Sequence, residues 1–372
     1  ERRAKRQPGQ RDARAWAMHA GAPGACRARV FVLFQWGWPR YLDESMFVAN
    51  TTGTGNIMKF GIIEISQPDR EREEYPYREI HERVTKEIIE ADQRGYDMCW
   101  IAEHHASTGY GILPDPLMYV SYLASQTENI TLCSGVMIAP LHNPVRLVEN
   151  IAFVDILTNG RVAFGIGSGY REHEFEALGA DFENRRKYQA EALEVMMELF
   201  HTHQIDHQGT YLPNYKITGD YEILPRPVQL PHPPMYMGAS SEESMDNCAR
   251  YGLGLLTSTL TPISELAPKC QYYLQKCDET EAPYNANPGH GTIGIGRMVY
   301  VADTDEQAKE EASESVVKHV DSFTGAASSG YLGKVSQASQ QELQGADYEK
   351  LREDTIIYGS PESVIEKIKY ME

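Results

Sequence analysis

The chain has no run of about eighteen apolar residues, so no segment reads as a membrane-spanning helix. It is also short of basic charge: 35 Lys and Arg stand against 53 Asp and Glu, a net charge of −18. Such a surface repels the phosphates of nucleic acids. Cysteine is sparse, and none of the six, at 26, 99, 133, 248, 270 and 277, forms a CxxC pair. That pattern argues against a disulfide framework and for reduced thiols in a soluble, cytoplasmic protein.

What the chain does have is core material. Its 372 residues are 41% hydrophobic, enough for one large α/β unit. The charge is unevenly spread: residues 1–57 carry nine basic and four acidic groups. No helical or strand period extends there beyond Val30–Trp36, and Pro8, Gly9, Pro23 and Gly24 break any amphipathic helix. A targeting segment and a nucleic-acid arm are alternatives, but residues 1–57 are best taken as a disordered or non-native leader. From Met58 to Glu372 strand and helix patterns alternate. Strands are expected at 59–65, 96–102, 130–140, 161–167, 234–239, 253–258 and 292–302, with helices between them. Asn143 followed by Pro144, and Ser360 followed by Pro361, mark two helix starts. Residues 321–347, rich in Gly, Ser and Gln, read as a flexible insertion. Repeated strand–helix units call for a parallel sheet with right-handed crossovers. The strands number seven, so either the sheet is open or a barrel lacks its last unit.

Several motifs carry chemistry. "YDMCWIAEHHAST" (96–108) is an apolar strand that ends on Glu103, His104 and His105. A strand's exit into its loop is where barrel enzymes keep catalytic groups, and imidazole titrates near neutrality; two histidines satisfied in a core are the plain alternative. "GIGSGY" (165–170) departs from the dinucleotide fingerprint, and "REHEFEALG" after it reads as a charged loop. Its glycines are read as letting a loop backbone approach a ligand. "GASSEES" (238–244) ends a strand and opens a helix, offering either an anion site or simple N-capping by Ser240 or Ser241. Arg185 and Arg186 head another helix, where basic residues oppose the macrodipole. His201, His203 and His207 have no partner set for a metal and read as solvated loop residues.

Five blocks, "WIAEHH", "GVMIAPLHNPVRLVENIAFVDILTNGRVAFGIGSGY", "DFENRRKYQAEALEVM", "PRPVQLPHPPMYMGASS" and "GSPESV", resemble in this order the bacterial luciferase-like flavin monooxygenases. The resemblance runs from Met58 to Glu372. It implies a (β/α)8 TIM-type barrel that uses reduced FMN and O2 to oxygenate a small organic substrate. The flavin would come from a separate NAD(P)H-dependent reductase, and a homodimer is common in the family. His104 matches the catalytic histidine, with His105 and Glu103 beside it. The cofactor residues implied are Arg186, Gly238, Ser240, Ser241 and Ser244, with a cis peptide at Gly135–Val136. Luciferases carry arginine at the place of Ser168, which favours a general monooxygenase over light emission. The family pattern continues into an eighth strand and helix, so the barrel is expected to be truncated, with an open edge between its seventh and first strands. A deazaflavin- or flavin-dependent hydride-transfer oxidoreductase and a non-catalytic flavin-binding protein remain the alternatives. Substrate choice is assigned to loops 106–114, 201–233 and 321–355, where Tyr110, Tyr211 and Tyr215 either line a cavity or simply pack.

Overall fold

The computed structural model describes residues 29–35 and 58–371, except 69, 71–72, 108–109, 325–342 and 344; of 29–35 and 322–324 it describes the backbone alone. The strands are β1 (Arg29–Gln35), β2 (Lys59–Glu64), β3 (Met98–Ile101), β4 (Thr131–Ile138), β5 (Val162–Gly167), the short β6 (Ile205–His207) and β7 (Tyr215–Ile217), β8 (Met235–Gly238), β9 (Gly254–Thr257), β10 (Thr292–Val301) and β11 (Ile357–Gly359). The helices are α1 (Pro76–Gln93), α2 (Pro116–Leu123), α3 (Pro144–Leu157), α4 (Glu172–Leu178), α5 (Arg185–Thr202), α6 (Glu242–Arg250), α7 (Ile263–Asp278), α8 (Asp305–Thr324), α9 (Tyr348–Asp354) and α10 (Pro361–Met371). None of the described helices is long and apolar enough to cross a membrane.

All seven expected strands are present and pair in parallel in the order β2-β3-β4-β5-β8-β9-β10. The expected open edge is not there. Strand β1, from the segment taken as a leader, lies in parallel between β10 and β2, with Arg29 opposite Thr292 and Phe31 opposite Lys59. The reason is local: "RVFVLFQ" is rich in β-branched and aromatic residues, and pairing on both sides satisfies backbone groups that an open edge leaves bare. Eight parallel strands therefore close a ring. The remainder of 1–57 lies outside the described residues, and so does most of the expected 321–347 insertion.

Side chains sort by the two-residue period of the strands. Met98, Trp100, Cys133, Ala163, Tyr236 and Leu256 fill the barrel interior, where Trp100 meets Tyr236 edge-on at 5.1 Å. Cys99, Ile101, Leu132, Phe164 and Leu255 point the other way, into the layer shared with helices such as α1 and α5. Asn143 caps α3 as expected, accepting from the N–H groups of Val145 and Arg146. Two of the three glycines of "GIGSG" are not in a loop. Gly165 and Gly167 lie inside β5, and a Cβ at either would strike strand β4: Ser134 O at 2.5 Å from Gly165, Val136 Cγ2 at 2.7 Å from Gly167. They make room for Val136 where the β4–β5 register shifts between Ser134 and Met137. "REHEFEALG" is likewise not a loop but helix α4, with acidic residues in its first turn, Phe175 buried and Gly179 at φ +68° closing it.

Candidate active site

Parallel strands put all their C-terminal ends on one rim, and the acid–base residues gather there. Just past β3, Glu103 is buried. Its Oε1 accepts from Nε2 of His105 at 2.8 Å and of His142 at 2.7 Å, and its Oε2 accepts from the Ile138 N–H at 2.6 Å. Burial works to raise the Glu103 pKa, but the hydrogen bonds outweigh it and hold the group below the usual carboxylate range. The same bond lifts His105 above the usual imidazole value, against a smaller opposing effect of burial.

His104 is held separately. Its Nδ1 lies 3.0 Å from Glu174 Oε1, which also accepts the His105 backbone N–H at 3.2 Å. An imidazole facing a carboxylate keeps its proton on the facing nitrogen, so Nε2 carries the free lone pair. Gly111 packs on the other side of the ring, where any Cβ would come within 2.9 Å of Cδ2. Tyr110 meets the ring edge-on at 4.7 Å. Burial lowers the His104 pKa, with Glu174 opposing, and the ring is therefore neutral at neutral pH.

Glu174 is the candidate site residue that the sequence did not single out. It sits on α4, and the signal was present: Phe175 and Leu178 at helical spacing, followed by the terminating Gly179. His142 was missed too; it follows β4 in the same "HNPVR" block that the resemblance quoted.

The implied cofactor residues occupy the same rim, at the ends of β4, β5 and β8. The Gly135–Val136 peptide is cis, as the resemblance implies. Gly238 ends β8 in the open, with nothing within 4 Å of the place a Cβ would take. Ser241 caps α6: its Oγ accepts from Ser244 N–H, while Ser244 Oγ accepts from the N–H groups of Ser240 and Ser241. The capping alternative thus holds for Ser241, and the N–H groups of the α6 first turn remain a candidate anion-binding element. The two arginines divide. Arg185 is committed to the fold, stacking on Phe182 at 3.9 Å and donating to Gly169 O and Phe182 O. Arg186 is exposed and bonds none of the described residues.

Three buried polar atoms on the His104 side of the rim lack hydrogen-bond partners: Ser66 Oγ, Arg171 Nε and Glu174 Oε2. The open Gly238 and the free Arg186 suit a ligand that is anionic at one end, and the three unpartnered atoms suit polar groups of whatever stands beside His104. The remaining candidates fall elsewhere. Tyr211 packs on Tyr188, and Tyr215 on His207. His207 is not a solvated loop residue; it bonds Glu191 at 2.8 Å, and His201 bonds Asn287 at 3.1 Å. His203 ends α5 at φ +65°. Among the described residues no group of His, Cys, Asp and Glu has the arrangement of a metal site.

Comparison with known proteins bears on the family and the fold. The family model described as luciferase-like monooxygenase matches residues 58–372. An uncharacterized Sinorhizobium fredii protein, y4vJ, is 31% identical over 175 residues, 47% of this chain and 48% of that one. The oxygenase component of a flavin-dependent trigonelline monooxygenase from Acinetobacter baylyi is 25% identical over 317 residues, 82% of this chain and 83% of its own. Among solved structures, the oxygenating constituent of 3,6-diketocamphane monooxygenase from Pseudomonas putida, in complex with FMN, superposes with a TM-score of 0.66 at 21% identity. It covers 84% of this chain and 88% of that one.

Proposed function

The chain belongs to the luciferase-like monooxygenase family, and from that premise we propose that it is the oxygenase of a two-component system. It would take reduced FMN from an NAD(P)H-dependent flavin reductase and insert one oxygen atom of O2 into a small organic substrate. Reduced FMN, when bound, supplies the two electrons that O2 activation requires. Arg186, Ser240 and the first-turn N–H groups of α6 suit the phosphate end, Gly238 leaves space for the ring, and Gly135 and Val136 would form the wall beside it. The remaining work falls to the protein. His104, held neutral by burial and fixed by Glu174, accepts a proton at Nε2 and returns it. Glu103 ties His105, His142 and the end of β4 together, so the pocket wall stays rigid and water is kept from the reacting centre.

The observation that carries this reading is the Glu174–His104 pair on the same rim as Arg186 and the serine-rich turn. The test supplies reduced FMN under ¹⁸O2 with candidate aldehydes, ketones and acids, and looks for one labelled oxygen in product. Turnover without O2 would instead indicate hydride transfer. FMN binding without turnover, unchanged by His104→Ala, would indicate a flavin-binding protein.

A cytoplasmic homodimer fits the surface. Met118 and Tyr122 on α2, with Phe153, Ile156 and Leu157 on α3, are large apolar side chains left exposed. Sedimentation should give twice the chain mass, and Phe153→Glu should halve it.

A further inference from the structure

Arg171 is a half-buried cation whose neighbouring acid, Glu174, is already committed to His104. It stands between Tyr170 and helix α4, with its guanidinium carbon 4.1 Å from the Tyr110 ring centroid and 5.3 Å from that of Tyr170. Its Nε is buried without a partner. Tyr170 hydrogen-bonds its side chain, and Glu174 is the carboxylate whose charge acts on it. Glu174, three residues on, spends its Oε1 on His104 and leaves its Oε2 unpartnered. Two aromatic faces hold the guanidinium in one plane, and the fork is thereby pre-organised for a two-pronged anion. Tyr110 also packs edge-on against His104 at 4.7 Å, which puts cation and base on opposite neighbours of one ring.

We propose that Arg171 is a specificity residue that holds a carboxylate of the substrate beside His104. The inference rests on the oxygenase reading above. Arg171 and Arg186 both follow β5, so the flavin phosphate is the competing anion, and the FMN measurements below separate the two. Through the Tyr110 ring Arg171 stands next to His104. Neutral substrates would leave its Nε unpartnered, and a carboxylate satisfies it through paired charge-assisted bonds.

The test uses the full chain and paired probes, benzoate against benzamide and hexanoate against hexanamide. Binding is followed by ligand-observed NMR, with and without FMN, and FMN affinity is measured alongside by fluorescence quenching. In wild type at least one carboxylate should bind roughly tenfold more tightly than its amide. Arg171→Met should abolish that preference, Arg171→Lys should keep part of it, and both should bind FMN as wild type does. No preference in wild type, or one that survives Arg171→Met, overturns the proposal. So does loss of FMN affinity with the preference intact, which would give the arginine to the cofactor. Failure of wild type to bind FMN at all counts against the oxygenase reading instead.

Discussion

At the scale of single residues, the site depends on which proton sits where. Glu174 raises the His104 pKa while burial lowers it. Glu174→Gln should therefore move the acid limb of the rate–pH profile to lower pH. It should also cut turnover roughly a hundredfold, the low end of what a positioned acid–base group contributes. FMN affinity should not change, which separates a positioning role from a collapsed pocket. Stability has its own pH window. Glu103 is depressed from 4.5, so its contribution is complete above that value and is lost as the pH falls through the lower folded pKa. His105 is raised from 6.5, so its contribution is complete below that value and is lost as the pH climbs through the folded pKa. Both are fully present between 4.5 and 6.5. Melting temperatures across pH should show the difference between wild type and Glu103→Gln greatest in that window; a flat difference would mean the network carries no linkage.

At the scale of elements, β4 and β5 are matched by what β5 lacks. Gly165→Ala brings a Cβ to within 2.5 Å of the Ser134 carbonyl, a backbone atom that cannot swing away. We expect a loss of about 1–3 kcal/mol in urea unfolding, with lowered activity as Val136 shifts. Helix α4 shows why a local reading can fail. Its charges made "REHEFEALG" look like loop, yet those same acids suit a helix N-terminus, and Phe175 supplies the buried contact that anchors so short a helix. Reading the segment as loop hid Glu174, because the residue's importance follows from the helix that aims it at His104.

At the scale of the whole molecule, barrel closure depends on β1. A strand paired on both sides donates every N–H to one neighbour or the other. Val32→Pro, opposite Ile295 on one side and Phe60 on the other, should cost about 3 kcal/mol or more. It should also raise aggregation, through the freed edges of β2 and β10. Scattering and thermal melts of the full chain measure both effects, and an unchanged melt would mean that β1 does not hold the ring shut.

The sequence by itself determined the seven strands from β2 to β10, the capped start of α3, and the Glu103–His105 cluster at a strand exit. These are written in local terms: hydrophobic period, cap residues, and a polar run that ends an apolar one. The resemblance added the cis Gly135–Val136 peptide and the choice of Arg186 over its neighbour. Tertiary structure alone decided three things. It put Arg29–Gln35 into the eighth place of the barrel, brought Glu174 to His104 across a separation of 70 residues, and laid Arg171 over the ring of Tyr110. Each is a contact between segments remote in sequence, and no local period records such a contact, because its free energy is gained only when the chain closes on itself.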